Sequence, residues 1–273
     1  MKKRMNVNIL GMLLLGAAIT FGACSKDKEA IEPEEIIEEP IDDDDNTDES
    51  AIAVQFADAD LADFIRLELE ELEVKVGEEI TRGDLLNLKE LSIRGVLTEV
   101  ASLQGLEYAT ELEHLDFGGT KVSDLTPIKD LEKITYLRFN ETPVADLSPI
   151  AAYTNLTYFN ANQASPGLTD LSALSGNEDM GTLILRGNLL GDEGLATISG
   201  FKKLHRLNAR STGAGDATVV MIGQMMAEGA LLKTTEGYVD KDSELDLRGN
   251  EIEDWSPIES FIEDDTAVPV QGM

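Results

Sequence analysis

The sequence is poor in the residues from which common enzymes and metal sites are built. Its 273 residues hold one cysteine and two histidines. With the cysteine at the end of an N-terminal leader, neither a Cys–His pair nor a histidine-rich metal centre can be assembled. No glycine-rich phosphate loop and no GxSxG elbow is present. No catalytic residue, metal site or cofactor is therefore expected. Positive charge is scarce too: 22 Lys and Arg stand against 53 Asp and Glu, a net of −31. Such a chain repels phosphates, which excludes nucleic acid as a partner. Beyond the leader, no apolar run is long enough to cross a bilayer.

The leader itself is informative. Lys2, Lys3 and Arg4 precede an apolar stretch from Ile9 to Phe21, and residues 1–23 read as a secretory signal peptide. It ends in Phe21-Gly22-Ala23-Cys24, which resembles the lipobox of bacterial lipoproteins, with Phe21 in place of the usual leucine. That resemblance implies diacylglycerol on the sulfur of Cys24 and a membrane attachment through lipid alone. Each buried methylene contributes about 0.8 kcal/mol, so several acyl chains hold firmly. An ordinary signal peptide that happens to contain a cysteine is the competing reading, opposed by the position of a sole cysteine directly after Gly-Ala. Ser25 in place of an inner-membrane aspartate implies the outer membrane, and the run Ser-Lys-Asp-Lys-Glu resembles the acidic signals of cell-surface lipoproteins.

Residues 24–51 form the next segment. Between 25 and 50 there are 13 acids, two prolines and no aromatic residue. Mutual repulsion and lack of apolar surface predict an extended, disordered tether with a reach of about 85 Å. The run Asp42 to Asp45 lacks the spaced ligands and turn glycine of a calcium loop, and solvated linker is the simpler reading. Residues 52–87 differ again. They predict a cap: a helix with Leu61, Phe64, Ile65, Leu69 and Leu72 on one side, then a short turn with Thr81 as N-cap and Asp84 completing a capping box.

From there the chain repeats itself. LEHLDFGGTKVSDLTPI (112–128) returns as ITYLRFNETPVADLSPI (134–150), with apolar residues at matched offsets and Asp124/Asp146 and Thr126-Pro127/Ser148-Pro149 matched as well. A fixed period near 22 predicts a solenoid. The units LxxLxLxxTxVxDLxPI, preceded by the phrases FADADL and EEITRGDLLNLKEL, resemble leucine-rich repeat proteins of the internalin type over residues 54 to about 261. The expected fold is accordingly an α/β leucine-rich-repeat solenoid, with a parallel sheet on the concave face, short helices or turns on the convex side and a helical N-terminal cap. About seven repeats fill 88–261, starting at Leu88, Leu112, Ile134, Leu156, Met180, Leu204 and Asp242, and 262–273 closes the end. Thr126 and Ser148 are expected to cap helical turns whose first residue is proline. The usual asparagine site holds Thr120, Thr142, Ala164, Asn188, Thr212 and Asn250. The sixth repeat is enlarged near 211–240, where Asp216 is expected to cap a helix and Met221, Met225 and Met226 to fill core.

Strand alternation directs the third, fifth and seventh residue of each repeat outward. Six of the eight arginines that follow the leader fall in that set: Arg94, Arg138, Arg186, Arg206, Arg210 and Arg248. His114, Tyr136 and Tyr158 share one offset in adjacent strands and predict a column. The functional reading is a ligand-binding strip of His114, Tyr136, Arg138, Tyr158, Arg186, Arg206, Arg210 and Arg248. Guanidiniums would grip anionic groups and aromatic rings would anchor a partner. The structural reading is that the arginines pair with Glu90, Asp116 or Asp246 on neighbouring strands and the rings pack on each other. The internalin-type resemblance implies protein recognition at the envelope or cell surface by a monomer. Capture of an acidic glycan is the alternative, and an open repeat surface lacks the cleft that paired catalytic carboxylates need.

Overall fold

The structure is a computed structural model that describes residues 48–273. The leader, Cys24 and nearly all of the acidic segment lie outside the described residues. A helix α1, Ala59–Glu71, opens the fold with Leu61, Ile65 and Leu69 buried and Asp58 accepting from the amides of Asp60 and Leu61. Phe64 packs against this core. Leu72 does not: the helix ends at Glu71, so Leu72 becomes the C-cap and is 54% exposed. The single turn α2, Arg82–Leu85, carries the expected capping box between Thr81 and Asp84.

One parallel sheet follows, its strands in sequence order: β1 (Glu90–Ser92), β2 (His114–Asp116), β3 (Tyr136–Arg138), β4 (Tyr158–Asn160), β5 (Thr182–Ile184), β6 (Arg206–Asn208), β7 (Leu245–Asp246) and β8 (Val270–Gln271). Glu90, His114, Tyr136, Tyr158, Thr182 and Arg206 are in one register, as are Ser92, Asp116, Arg138, Asn160, Ile184, Asn208, Asp246 and Gln271. The eighth strand adds a layer beyond the seven repeats read from sequence. Such an ordered stack of α and β units is a leucine-rich-repeat solenoid.

The inward residues explain its stability. Leu115, Leu137, Phe159, Leu183, Leu207 and Leu245 line one buried row, and Phe117, Phe139, Ala161, Leu185, Ala209 and Leu247 the next. Each large side chain contributes roughly 1.5–3 kcal/mol before ordering entropy is subtracted. In the fourth repeat Phe159 stands in place of a leucine in the first row and Ala161 in place of a larger residue in the second. Phe139 stacks on Phe117 at 5.6 Å and meets Phe159 edge-on at 5.3 Å.

Past each strand the chain turns sharply. The eighth residue of each repeat has positive φ: Gly95, Gly119, Glu141, Gln163, Gly187, Ser211 and Gly249, between 53° and 76°. Four of the seven are glycine, which bears this conformation without a side-chain penalty. Next comes the asparagine site. Thr120, Thr142 and Thr212 donate to the carbonyl three residues back, at 2.7–2.8 Å. Asn188 does more: its amide nitrogen donates to Leu185 O and Ala161 O, and its oxygen accepts from Leu168 N. It thereby gives Ala161 O the side-chain donor that Ala164, in the previous repeat, lacks. Asn250 likewise donates to Leu247 O and Ala209 O.

The convex turns differ from expectation in their caps. The 3-10 turns Thr126–Ile128, Ser148–Ile150 and Ser172–Leu174 are capped by the aspartate two residues ahead of each. Asp124, Asp146 and Asp170 accept the amide of Thr126, Ser148 and Ser172 at 2.8 Å, and the serine hydroxyls donate to the same carboxylates. A carboxylate is the stronger acceptor, so the hydroxyl becomes its donor. The prolines do sit in the first turn.

After the short helix α3, Gly191–Leu195, the enlarged sixth repeat carries α4, Asp216–Ala227, which packs on α5, Ser256–Glu263. Between them a Cβ on Gly223 would approach Pro257 O to 2.6 Å, so only glycine allows this contact. Asp216 does not cap α4. Asp192 does so from the preceding repeat, accepting from Gly215 N, Thr218 N and the Thr218 hydroxyl. Burial pushes Asp192 up, but these three bonds outweigh it and hold the carboxyl below its ordinary value. Asp216 instead accepts the amides of Glu253 and Asp254, tying α4 to the next repeat. Met225 and Met226 are buried and Met221 packs against the core.

Asn188→Ala should strand the Leu168 amide in the dry interior and take a second donor from Leu185 O and Ala161 O, which keep their backbone bonds from Asn188 N and Ala164 N. The expected loss is about 2–4 kcal/mol in urea unfolding, against about 1 kcal/mol for Thr120→Ala, which gives up a single carbonyl bond.

Candidate binding surface

The outward face carries the residues singled out from sequence, and the parallel register stands them in columns. In the first column Tyr136 and Tyr158 stack with ring centroids 4.0 Å apart and planes within 9°. His114 meets Tyr136 edge-on at 5.2 Å, and its Nδ1 lies 3.3 Å from Glu90. One face of Tyr136 is therefore covered by Tyr158, and His114 packs against the ring from β2. Tyr158 keeps the face toward Thr182. A shallow depression of about 290 Å³ opens beside this column, lined by Glu90, Ser92, His114, Asp116 and Tyr136.

The second column governs the arginines. Asp116 is buried and draws Arg94 to 3.1 Å and Arg138 to 3.8 Å. Arg138 also donates to Asn140 at 2.6 Å. Gly118 makes this possible, since a Cβ there would overlap the Asn140 oxygen and press on Arg94. Farther along, Arg248 grips Asp246 with two bonds of 2.9 and 2.7 Å, and Arg206 lies 3.4 Å from Glu244. Burial pushes Asp246 up, but its bonds from Arg248 and the charge of Arg210 prevail and hold it below the usual carboxylate range. Four arginines are thus engaged by acids of neighbouring or identical strands. Among the described residues Arg186 and Arg210 make no ion pair.

Two polar atoms stand out near them. Asn162 Oδ1 and Arg206 Nε are buried and have no hydrogen-bond partner among the described residues. Asn162 occupies the seventh position one repeat ahead of Arg186, with Gln163 N donating to Arg186 O at 2.7 Å. Position-five side chains are busy locally: Asn160 accepts from Asn162 N, Asn208 from Arg210 N and Asp246 from Arg248 N. Ile184 is the one apolar member of that column.

His205, the second histidine, sits outside the strip. Ser243 Oγ accepts from Val239 N at 2.9 Å and is hydrogen-bonded to His205 Nδ1 at 3.0 Å. Burial and then Arg206 push His205 down, which keeps the ring neutral and able to accept. This pair fastens the long segment after α4 to β6. The sequence offered no signal for it, because 38 residues separate the two partners. Among the described residues no group of three or more His, Cys, Asp and Glu is placed to hold a metal. No helix among them is long and apolar enough to cross a membrane.

The solenoid class is matched by known structures. An internalin, InlF, from Listeria monocytogenes str. 4b F2365 aligns with a TM-score of 0.60 at 31% identity, covering 74% of this chain and 53% of its own. The chain thus spans about half the length of that protein. Internalin C2 from the same strain aligns with a TM-score of 0.59 at 22% identity, over 80% of this chain and 94% of its own. The functional domain of InlJ from Listeria monocytogenes gives 0.50 at 20% identity, over 68% of this chain and 36% of its own. No protein-family model and no curated protein matches the chain. Its structural neighbours are internalins, leucine-rich-repeat proteins built on a parallel sheet.

Tyr136 provides a check on the aromatic column. Burial, then the bond and charge of Tyr158, push its phenol up to about 12 against the opposing pull of Arg138. In an ultraviolet titration two phenols should ionise late, Tyr136 near pH 12 and the buried Tyr153 later still, and Tyr136→Phe should remove the earlier of the two.

Proposed function

We propose that the chain is a lipoprotein, attached through Cys24 to the outer membrane or cell surface, whose repeat domain binds a partner protein through its concave face. The observation that carries this reading is the stacked aromatic column beside two unengaged guanidiniums, on the outward face of a chain with net charge −31. Aromatic and arginine side chains dominate the anchors of protein interfaces. The internalin likeness is in keeping with a recognition domain. The proposed binding residues are His114, Tyr136, Arg138, Tyr158, Arg186, Arg206, Arg210 and Arg248, with no catalytic role for any of them.

An acidic glycan is the second reading, favoured by the planar donors of Arg186 and Arg210. It fits the aromatic column less well. A sugar ring needs an open aromatic face, and the stack of Tyr136 on Tyr158 takes one face of each.

Binding of the protein to arrays of envelope proteins and glycans tests the surface. The triple variant Arg138→Glu/Arg186→Glu/Arg210→Glu should lose the wild-type signal while still melting cooperatively. Retention of the signal would move the site to the convex enlargement at 211–240. A protein ligand should survive competition by free sulfated sugars, whereas a glycan ligand should be displaced by them and weaken steeply with salt. The anchor has its own test. Cys24→Ser should abolish incorporation of labelled palmitate and release the chain from the membrane fraction; continued labelling would refute the attachment.

A further inference from the structure

We infer that the concave face takes an extended acidic peptide, two of whose carboxylates are held by Arg186 and Arg210. This rests on the partner-binding reading and names the chemistry of the partner. The six outward arginines divide cleanly. Arg94 and Arg138 share Asp116, Arg206 faces Glu244, and Arg248 holds Asp246. Arg186, which is exposed, and Arg210, half-buried, make no ion pair among the described residues, although Arg210 lies near enough to Asp246 to help hold that carboxyl down. In a chain with 53 acids, two adjacent guanidiniums outside any ion pair are the places where a foreign carboxylate meets least competition.

The geometry suits a peptide. Arg186 and Arg210 are rooted on neighbouring strands, about 4.8 Å apart. Carboxylates two residues apart in an extended chain are separated by about 6.8 Å, a spread that two long arginine stems cover. Ile184 and the open face of Tyr158 lie between the tyrosine column and Arg186. They call for an apolar side chain, which an acidic peptide has and a sulfated sugar lacks.

The test uses the full chain and a fluorescein-labelled peptide, Ser-Leu-Ser-Glu-Ser-Glu written twice, which puts leucine and both glutamates on one side of an extended strand. Its glutamine counterpart and a sulfated heparin fragment serve as comparisons, with fluorescence anisotropy as the readout. The acidic peptide should bind, and the glutamine version should bind at least about tenfold more weakly. Arg186→Gln/Arg210→Gln should weaken the acidic peptide by a similar factor. The charge-matched convex variant Lys129→Gln/Lys133→Gln should stay within about twofold. Thermal melts followed by circular dichroism verify that both variants fold.

Equal binding by the Arg186→Gln/Arg210→Gln variant overturns the inference. If Tyr136→Ala/Tyr158→Ala then lowers binding, the concave-face reading survives; if it does not, both fall. A heparin fragment that binds through Arg186 and Arg210 where the peptide does not would replace the peptide by a glycan. Absence of peptide binding by the folded wild type also overturns the inference.

Discussion

Everything in this fold depends on the parallel ladder. A strand of three residues has no stability alone, and each exists because its neighbour is one hydrogen-bond register away. Register then dictates side-chain chemistry. Residues at equal offsets must stand side by side at about 4.8 Å, so each column has to be compatible with itself. The inward columns meet that demand with leucine and phenylalanine. The outward ones meet it by alternating acid, amide and base, as Asp116, Arg138 and Asn160 do on successive strands.

That demand sorts the arginines. Where the neighbouring column supplies a carboxylate, the guanidinium is drawn down onto the sheet and becomes part of the scaffold. Beside Arg186 stand Ile184 and Asn208, which offer no acid, and beside Arg210 the carboxylate of Asp246 is already held by Arg248. The surface is thereby graded along the stack, with aromatic rings and a buried acid over β2 to β4 and unengaged positive charge over β5 and β6. The same columns that hold the domain together set which of its side chains remain open to a ligand.

Much of this was legible in the sequence, for a physical reason. Repetition converts a three-dimensional contact into a sequence offset, so the columns of Leu115/Leu137 and of His114/Tyr136/Tyr158 could be read before any coordinates. Thr81 and Asp84 are likewise neighbours in sequence, and the capping box was plain. What could not be read depends on competition between local acceptors or on partners from different repeats. Thr126 and Ser148 look like caps, but Asp124 and Asp146 are stronger acceptors two residues earlier. Asp216 looks like the cap of α4, yet Asp192 reaches that helix from the preceding repeat. Nor does an alternating pattern show which arginines are spent: Asp116 takes two and Asp246 one, and only geometry distributes them.

The sixth repeat draws a line between the two sides of the solenoid. Arg206 and Glu244 are separated by 38 residues, whereas His114 and Tyr136 are separated by 22, and the strands pair in the same way in both places. The path length of the chain is a free variable on the convex side and a constant on the concave one. Loops, helices or whole subdomains can be exchanged behind the sheet while the pattern presented in front is preserved, so the two faces are open to change at independent rates.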